Sequence, residues 1–460
     1  MNREKFAWLV SVVLIAVLAF QIPRTLAHRD DEYAFVRTLL DIHRQVAVNY
    51  VDTVDEPKLE QGAIDGMLGQ LDPFTAYIPS AKQEQFDNML EGSFRGVGIE
   101  LNQTEKGEVQ VVTPIDNSPA ARAGVEPGDI IIKVNGDDIT RLKIDEVMKK
   151  IKGPIGTPVT LTVHHEDGKD QSLTMNREDI VVPTIKGYRR RPDARASDPD
   201  PWDYWASNSP RIGYIRITQF TSDTFARLKS VMDRLLAGHM QGLILDVRFN
   251  PGGRLDQAKD VVDLFVRQGV IVKVKGRNRP EEISYAHAQG TLPDFPMAVL
   301  VNEHSASASE IVSGSLKDNH RALIVGTRTF GKGSVQELIQ LGNNEGELKL
   351  TVAYYYLPSG RLVHRKKDST DWGVDPQLAV PMTPEQEKWL MQQELALDMM
   401  PGHPTTKPAT RPATQPIDPQ LDAALGALNS DIRAGGKQNV PAIPASQPVI
   451  QPAAVQRALK

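Results

Sequence analysis

The spacing of hydrophobic residues changes along the chain and divides it into segments with different predicted structures. Residues 30–90 carry apolar side chains at helical spacing, which predicts an N-terminal helical region. Residues 91–182 alternate short apolar runs with turns that contain glycine and proline, which predicts a small domain built mainly from strands. From Arg211 onward, short apolar runs alternate with amphipathic helical segments, so this part predicts an α/β core.

Polar and proline-rich segments interrupt and follow this core. Arg189–Arg191 is a run of like charge and is predicted to be a solvated loop, and Pro192–Pro210 is predicted to be an insertion or surface flap. After the core, residues 384–400 have a helical pattern, and Pro401–Pro419 is a Pro/Thr-rich linker. The remainder is predicted to be disordered except for one short amphipathic helix. The apolar face of that helix is formed by Leu421, Leu425, Leu428 and Ile432.

The first residues have the pattern of an export signal. Arg3 and Lys5 precede an uncharged apolar run, Phe6–Gln21, and Thr25-Leu26-Ala27 fits a cleavage site of the small-x-small kind. The run is somewhat shorter than the ~20 residues of a typical membrane-spanning helix. The pattern predicts an exported protein of the cell envelope, either periplasmic or anchored to the inner membrane and facing outward. A cleaved signal peptide and an uncleaved anchor are both compatible with it.

The amino-acid composition limits the kinds of binding and catalysis that the chain can carry out. The net charge of −5 gives no support to nucleic-acid binding. The chain has no cysteine, which excludes disulfides, thiol catalysis and cysteine metal sites. No pair of histidines has metal-ligand spacing, and we interpret the ten histidines as surface or packing residues. We therefore expect no metal.

The strongest candidate for chemistry is a junction between a predicted strand and a predicted helix. The apolar run Ala298–Val301 predicts a buried strand, a small polar loop follows, and apolar residues then recur at helical spacing. Ser305, Ser307 and Ser309 lie at this junction, where the free N–H groups of a first helical turn favour a developing negative charge. Serine also commonly caps helices, so the three serines alone do not predict a nucleophile.

A lysine in the next loop favours a nucleophilic role for one of these serines over helix capping alone. Lys332 lies in the glycine-bounded loop Gly326–Gly333, and burial can make it a general base by lowering its pKa from ~10.4 to roughly 7–8. The alternative is a phosphate-binding loop, because this segment contains the spacing G-x-x-x-x-G-K. That motif requires Ser or Thr directly after the lysine to hold magnesium, whereas this chain has Gly333. Nucleotide binding is therefore disfavoured.

Two motifs in this region carry a resemblance to a known family. They are S-A-S-A-S-E at Ser305–Glu310 and F-G-K-G-x-V-Q at Phe330–Gln336. On these residues the chain resembles the carboxy-terminal processing proteases, which are tail-specific serine peptidases with a Ser-Lys dyad. The resemblance implies that Ser307 is the nucleophile, that Lys332 is its general base, and that Gln336 orients the lysine.

A further match lies where a predicted buried strand ends. Asp246–Gly253 resembles the family motif D-L-R-x-N-P-G-G. The resemblance implies that an N–H group of Gly252 or Gly253 joins that of Ala308 to form an oxyanion hole. We interpret the polar residues of this motif as loop scaffolding; they are Asp246, Arg248 and Asn250.

The strand-rich segment, residues 91–183, resembles a PDZ domain. In such a domain a peptide adds as an extra strand, and backbone N–H groups of a glycine loop receive its terminal carboxylate. The resemblance implies that this loop consists of Gly96, Val97, Gly98 and Ile99, and that the partners are proteins or peptides with free, apolar C-termini.

The resemblance covers roughly residues 30–380 and implies an α/β multidomain protein. Its parts are an N-terminal helical arm, a PDZ domain and a crotonase-like α/β catalytic core. We predict these boundaries: 1–28 signal peptide or anchor, 29–90 helical region, 91–183 PDZ domain, 184–382 catalytic domain, and 383–460 C-terminal helix with a Pro-rich disordered tail.

The predicted function is an exported serine endopeptidase that binds protein C-termini and cleaves near them without a cofactor. The helical arm pairs subunits in some members of the family, so a homo-oligomer is compatible with the pattern. The alternative is a catalytically silent PDZ adaptor that retains the protease fold. The intact Ser307, Lys332 and Gln336 argue against that alternative.

Overall fold

A computed structural model describes residue 8 and residues 34–195, 197–342, 345–399 and 418–435. The predicted signal or anchor segment, apart from Trp8, lies outside these residues, as do nearly all of the predicted linker and the end of the tail. Within the described ranges, no helix is both long and apolar enough to cross a membrane. The chain divides into two compact units, residues 1–77 and 78–460.

The first unit contains the predicted helical region. Its helices are α1 (Ala34–Asn49) and α2 (Glu56–Leu68), and the strand β1 (Ala76–Pro79) follows at the boundary of the unit. The side chain of Asp55 caps α2 by accepting a hydrogen bond from the N–H of Lys58 (3.3 Å). The helical prediction for this region is therefore confirmed.

The second unit begins with a helix and a strand-rich domain. In chain order its elements are α3 (Ser80–Glu91), β2 (Ser93–Gly96), β3 (Ile99–Gln103), β4 (Val109–Pro114), α4 (Pro119–Ala123), β5 (Ile130–Val134), β6 (Asp137–Asp138), α5 (Ile144–Ile151), β7 (Pro158–His164), β8 (Asp170–Asn176) and β9 (Glu178–Val181). The main sheet has the order β3-β4-β5-β7-β8, and β6 pairs with β5. Because β3 is an edge strand, one side of it is open to pair with an added peptide.

An α/β core follows this domain. Its elements are β10 (Ile185–Lys186), β11 (Arg189–Arg190), β12 (Trp202–Asp203), β13 (Trp205–Asn208), β14 (Arg211–Ile217), α6 (Thr224–Ala237), β15 (Gly242–Asp246), α7 (Leu255–Phe265), β16 (Gly269–Gly276), β17 (Glu282–Ala286), β18 (Met297–Val301), α8 (Ala308–Asp318), β19 (Leu323–Gly326), β20 (Ser334–Gln340), β21 (Gly346–Tyr356), β22 (Leu378–Ala379), α9 (Pro384–Asp398) and α10 (Pro419–Arg433). The central sheet has the order β10-β14-β15-β18-β19-β22, and the pairs from β14 to β22 are parallel. In a second, antiparallel arrangement, β21 pairs with β20 and β16, and β16 pairs with β17.

Both faces of the parallel sheet are covered, which explains the uninterrupted apolar runs of its strands. Alternate residues of a strand point to opposite faces, so Leu243 and Leu245 of β15 join one hydrophobic cluster and Ile244 joins another. Helices α6, α7 and α8 contribute to the first cluster. The other cluster contains Ala424 and Leu428 of α10, which are almost fully buried. The short amphipathic helix predicted in the tail thus exists and covers one face of the parallel sheet.

The structure contradicts the solvated loop at Arg190 and the surface flap at residues 192–210, while the alternative of an insertion stays a prediction. Arg190 is not solvated: its guanidinium makes a bidentate ion pair with Asp116 of the PDZ-like domain (2.9 and 3.0 Å), and both side chains are about nine-tenths buried. The following stretch is not a flap, because Trp202 and Tyr204 are buried in the core cluster of the α/β domain. Aromatic side chains among many polar residues were the signal that sequence reasoning passed over.

Candidate active site

Ser307 lies at the sharp turn between β18 and α8. Its backbone has φ +55° and ψ −112°, which is a rare conformation for a residue with a side chain. It is the residue directly before α8, so its hydroxyl lies at the positive end of that helix. This strained turn follows the carboxyl end of a parallel strand, where α/β proteins commonly place ligands.

The two flanking serines have structural roles. Ser305 and Ser309 are fully buried, whereas Ser307 is partly exposed. The Ser305 hydroxyl donates to the carbonyl of Val247 (2.7 Å), and that of Ser309 donates to the carbonyl of Asn250 (3.0 Å). Both bonds attach the turn to the loop that leaves β15. Of the three serines, Ser307 is therefore the one that a substrate could reach, and its role as nucleophile stays a prediction.

A buried carboxylate joins the turn of Ser307 to the loop of Lys332. Glu310 is 0% exposed, and its Oε2 accepts hydrogen bonds from the N–H groups of Ser307 (2.9 Å) and Lys332 (2.8 Å). Its Oε1 accepts hydrogen bonds from the N–H of Gly331 (2.7 Å) and the hydroxyl of Thr329 (2.6 Å). Burial raises the pKa of Glu310, and these hydrogen bonds oppose the shift. The carboxylate thereby fixes the main chain on both sides of the site.

Tyr355 links the same two segments through their carbonyl groups. Its hydroxyl lies 3.1 Å from the main-chain oxygen of Ser307 and also within hydrogen-bond distance of the main-chain oxygen of Lys332. Burial raises the pKa of Tyr355 well above its usual value, so the hydroxyl keeps its proton and can donate. The main-chain groups of Ser307 and Lys332 are thus held by one acceptor and one donor.

The loop of Lys332 leads from β19 into a strand and not into a helix. β20 begins at Ser334, two residues after the lysine, so the helix that a phosphate-binding loop requires is absent at this place. Gln336 lies on the same strand face as Ser334 and donates its amide to the hydroxyls of Ser334 (2.8 Å) and Thr351 (3.3 Å). These bonds fix the orientation of the amide, and its action on Lys332 stays a prediction.

Of the predicted oxyanion residues, Gly252 and Ala308 lie beside Ser307. A β-carbon placed on Gly252 would lie 3.0 Å from the nitrogen of Ala308, so the two loops are in contact there. The N–H of Gly252 donates to Oδ1 of Asn250 (2.8 Å) and is already used. In the part of the chain that the structure describes, no acceptor takes the N–H of Gly253 or of Ala308. Of the two glycines, Gly253 is therefore the one whose N–H is not already used, and its part in an oxyanion hole stays a prediction.

The polar residues of the same loop are scaffolding, as the sequence indicated. Asn250 donates its amide to the carbonyl of Ile217 (2.8 Å), and Asp246 and Arg248 form a buried ion pair (2.6 Å). His304 is half exposed and stacks on Phe249, which agrees with a surface role.

The loop predicted to receive a carboxylate lines a cavity in the PDZ-like domain. The cavity has a volume of about 200 Å³ and lies between this loop and α5. The carbonyls of Val97 and Gly98 accept hydrogen bonds from Ala120 and Ile115, whereas no described residue accepts from their N–H groups. The lining is mostly apolar with two cationic side chains; it consists of Phe94, Arg95, Gly96, Val97, Gly98, Ile99, Leu101, Met148, Ile151 and Lys152. These features fit an apolar C-terminal residue with its carboxylate.

Family models match both folded parts of the second unit. Residues 211–380 match the model of peptidase family S41, and residues 110–164 match the PDZ domain model. The fold and the matches define a serine peptidase of mixed α/β architecture with a PDZ domain.

Individual relatives narrow the assignment. The chain is 42% identical over 327 residues to a carboxy-terminal-processing protease of Bartonella bacilliformis, covering 70% of each chain. It is 33% identical over 350 residues to a probable CtpA-like serine protease of Staphylococcus aureus, covering 75% of this chain and 66% of that one. A photosystem II D1 C-terminal processing protease of known structure aligns with a TM-score of 0.41 at 26% identity, covering 74% of this chain and 86% of that one. The chain belongs to the carboxy-terminal-processing proteases of peptidase family S41.

Sequence reasoning gave no role to two residues of the site. Glu310 closes the quoted serine motif, and a glutamate three residues after a helix cap was a readable signal for a bond back to the cap. Tyr355 lies one residue before the end of β21, far along the chain, and nothing in its local sequence indicates contact with Ser307.

Proposed function

We propose that this protein is an exported endopeptidase that binds protein C-termini in its PDZ groove and cleaves the chain near them with Ser307 and Lys332. One observation carries the proposal. The carboxylate of Glu310 binds the main-chain N–H groups of both residues and so gathers them at one site. Gln336, two residues into β20, orients the lysine.

The reaction proceeds by acyl transfer. The neutral amine of Lys332 takes the proton of Ser307 Oγ as that oxygen attacks the scissile carbonyl. The N–H groups of Ala308 and Gly253 bind the oxyanion of the tetrahedral intermediate. The C–N bond then breaks, and the lysine returns the proton to the departing amine. The neutral amine of Lys332 then activates a water molecule, which hydrolyses the acyl-enzyme and restores Ser307.

Export is supported by the N-terminal pattern alone. Basic residues, an apolar run and the small-x-small site at Thr25–Ala27 precede the folded domains. The folded protein then acts in the cell envelope, either released or tethered. Fractionation of cells that carry a tagged chain tests this, and a purely cytoplasmic location of the full chain contradicts it.

The test of the catalytic assignment compares the three serines. Ser307→Ala should abolish cleavage of a peptide with an apolar free C-terminus and should abolish labelling by a serine-directed probe. Ser305→Ala and Ser309→Ala are matched controls that should keep most of the activity, with about 1–3 kcal/mol lost from the free energy of unfolding because a buried carbonyl loses its donor. Cleavage by purified Ser307→Ala would show that the nucleophile lies elsewhere. Absence of cleavage and labelling in the unaltered chain would favour the silent adaptor.

A further inference from the structure

A buried ionic cluster connects the C-terminal helix to the loop of the proposed oxyanion hole. The guanidinium of Arg248 donates to both oxygens of Asp246 and, through another edge, to both oxygens of Asp418 (3.0 and 2.9 Å). Gln420 accepts a further hydrogen bond from the same guanidinium (3.2 Å), and Tyr214 donates to Asp246 (2.8 Å). Asp418 lies 170 residues after Arg248 in the chain, so only folding brings them together.

The cluster is enclosed by protein. The side chains of Arg248 and Asp246 are 1% and 0% exposed, and that of Asp418 is 11% exposed. Without Asp418 the guanidinium would keep Asp246 and Gln420 as partners, but its Nη1 and Nη2 groups would each lose a carboxylate acceptor, and leaving buried N–H donors without an acceptor is costly. Arg248 therefore depends on Asp418 to keep its observed position.

Asp418 also begins the helix that covers this face of the sheet. Its Oδ1 accepts hydrogen bonds from the N–H groups of Gln420 (3.1 Å) and Leu421 (3.0 Å) and caps α10. Beyond the cap, Ala424 and Leu428 pack into the cluster that contains Ile244. One carboxylate thus fixes the start of the helix and the position of Arg248.

Arg248 belongs to the segment that carries the proposed oxyanion donor. The next residue, Phe249, has φ +56° and donates its N–H to the side chain of Asn302 (3.0 Å), in the turn that leads to Ser307. Gly253 follows four residues later. A displaced Arg248 side chain would pull on this strained turn, and the turn sets the distance between the two proposed donors.

We propose that Asp418 is a positioning residue for catalysis. It acts through Arg248 to keep the N–H of Gly253 at the correct distance from the N–H of Ala308. This inference rests on the proposed function of that loop. It assigns to the C-terminal helix a part in transition-state binding that goes beyond covering the sheet. The helix touches neither substrate nor nucleophile, so its effect falls on kcat and not on capture of the substrate.

The test uses Asp418→Asn in the full chain. Asparagine caps a helix as well as aspartate, so the helix start is kept, while one of the two carboxylates that Arg248 contacts becomes a neutral amide whose NH₂ group faces the guanidinium. We expect kcat for a tail peptide to fall at least about tenfold, as misplacement of a catalytic group by a fraction of an ångström does, with KM changed less than about twofold. Asp418→Glu should recover part of the loss.

Two controls separate positioning from stability. Asp422→Asn removes a charge from the exposed side of the same first turn and should leave kcat unchanged. Leu428→Ala weakens the packing of α10 without altering the ionic cluster, and it should lower Tm while kcat per folded molecule stays the same. Active sites are counted with the serine-directed probe at a concentration that labels every folded molecule.

The proposal is overturned if Asp418→Asn keeps normal kcat, or if Leu428→Ala lowers kcat per folded molecule as much as Asp418→Asn does. Failure of the proposed function looks different. In that case the unaltered chain and Ser307→Ala would cleave the peptide equally, or neither would cleave it.

Discussion

Gly252 packs directly against Ser307. A β-carbon placed on Gly252 would lie 2.7 Å from the β-carbon of Ser307, and the backbone of Gly252 has φ +105°. Both the contact and the conformation require glycine at this position. The surface beside Ser307 is therefore bare backbone, which leaves room for a carbonyl oxygen next to the N–H of Ala308.

Gly252→Ala should lower kcat by at least about 100-fold, because the methyl group displaces Ser307 or fills the space of the oxyanion. The measurement is kcat on a tail peptide, with circular dichroism to show that the variant is folded. Gly290→Ala is the matched control, since Gly290 has φ +86° but no atom within 4 Å of its would-be β-carbon. Normal activity in Gly252→Ala would place the oxyanion elsewhere.

Glu310→Gln should lower kcat by about 100-fold, through misplacement of Ser307 and Lys332, and should lower Tm as well. Each oxygen of Glu310 accepts two hydrogen bonds, so the NH₂ group of glutamine faces two donors in either orientation of the amide. Glu303→Gln, at an exposed position nearby, should have little effect. Equal kcat in the two variants would show that Glu310 does not organise the site.

Lys332→Arg should be inactive although it keeps the positive charge. A general base must lose its proton, and a guanidinium stays protonated at any pH at which the protein is folded. The measurement is single-turnover acylation of Ser307 by a peptide ester and by a peptide amide, across a range of pH. Activity in this variant would mean that another residue acts as base, with His304 the first to examine.

The motifs around Ser307 and Lys332 could be predicted from sequence because each is contiguous and each local pattern agrees with the fold. The long-range contacts that hold these motifs in place could not be predicted in this way. Tyr355 reaches both main-chain carbonyls from another sheet, and the pairing of Arg248 with Asp418 spans 170 residues. Periodicity reports which side of an element is buried but not which distant element covers it.

The run Arg189–Arg191 shows a second reason why a prediction from sequence failed. Three consecutive arginines suggest solvent because charged residues are seldom buried without a partner. Arg189 does remain exposed, but Arg190 has Asp116 of another domain as its partner. A sequence cannot show such a partner when it lies 74 residues away.

The PDZ groove provides the last prediction. Its edge strand β3 is open, and the N–H groups of Val97 and Gly98 are available to a carboxylate, with Arg95 and Lys152 on the rim. Amidating the C-terminus of a substrate removes the charge that these groups hold, so KM should rise about tenfold or more, the equivalent of one charge-assisted interaction.

The protein side of the groove is tested at Met148, because a change at Gly98 would deform the loop itself: its β-carbon would lie 2.3 Å from that of Ser118. Met148→Glu places a negative charge in the apolar pocket and should raise KM for the free-acid peptide by a similar factor. Ile155→Glu, on the exposed surface of the same domain, is the matched control. Labelling of Ser307 by a small serine-directed probe should be the same in both variants, which separates capture of the tail from chemistry. Equal KM for free-acid and amidated substrates would show that the groove does not read the carboxylate, and the enzyme would then select its substrates by contacts near Ser307.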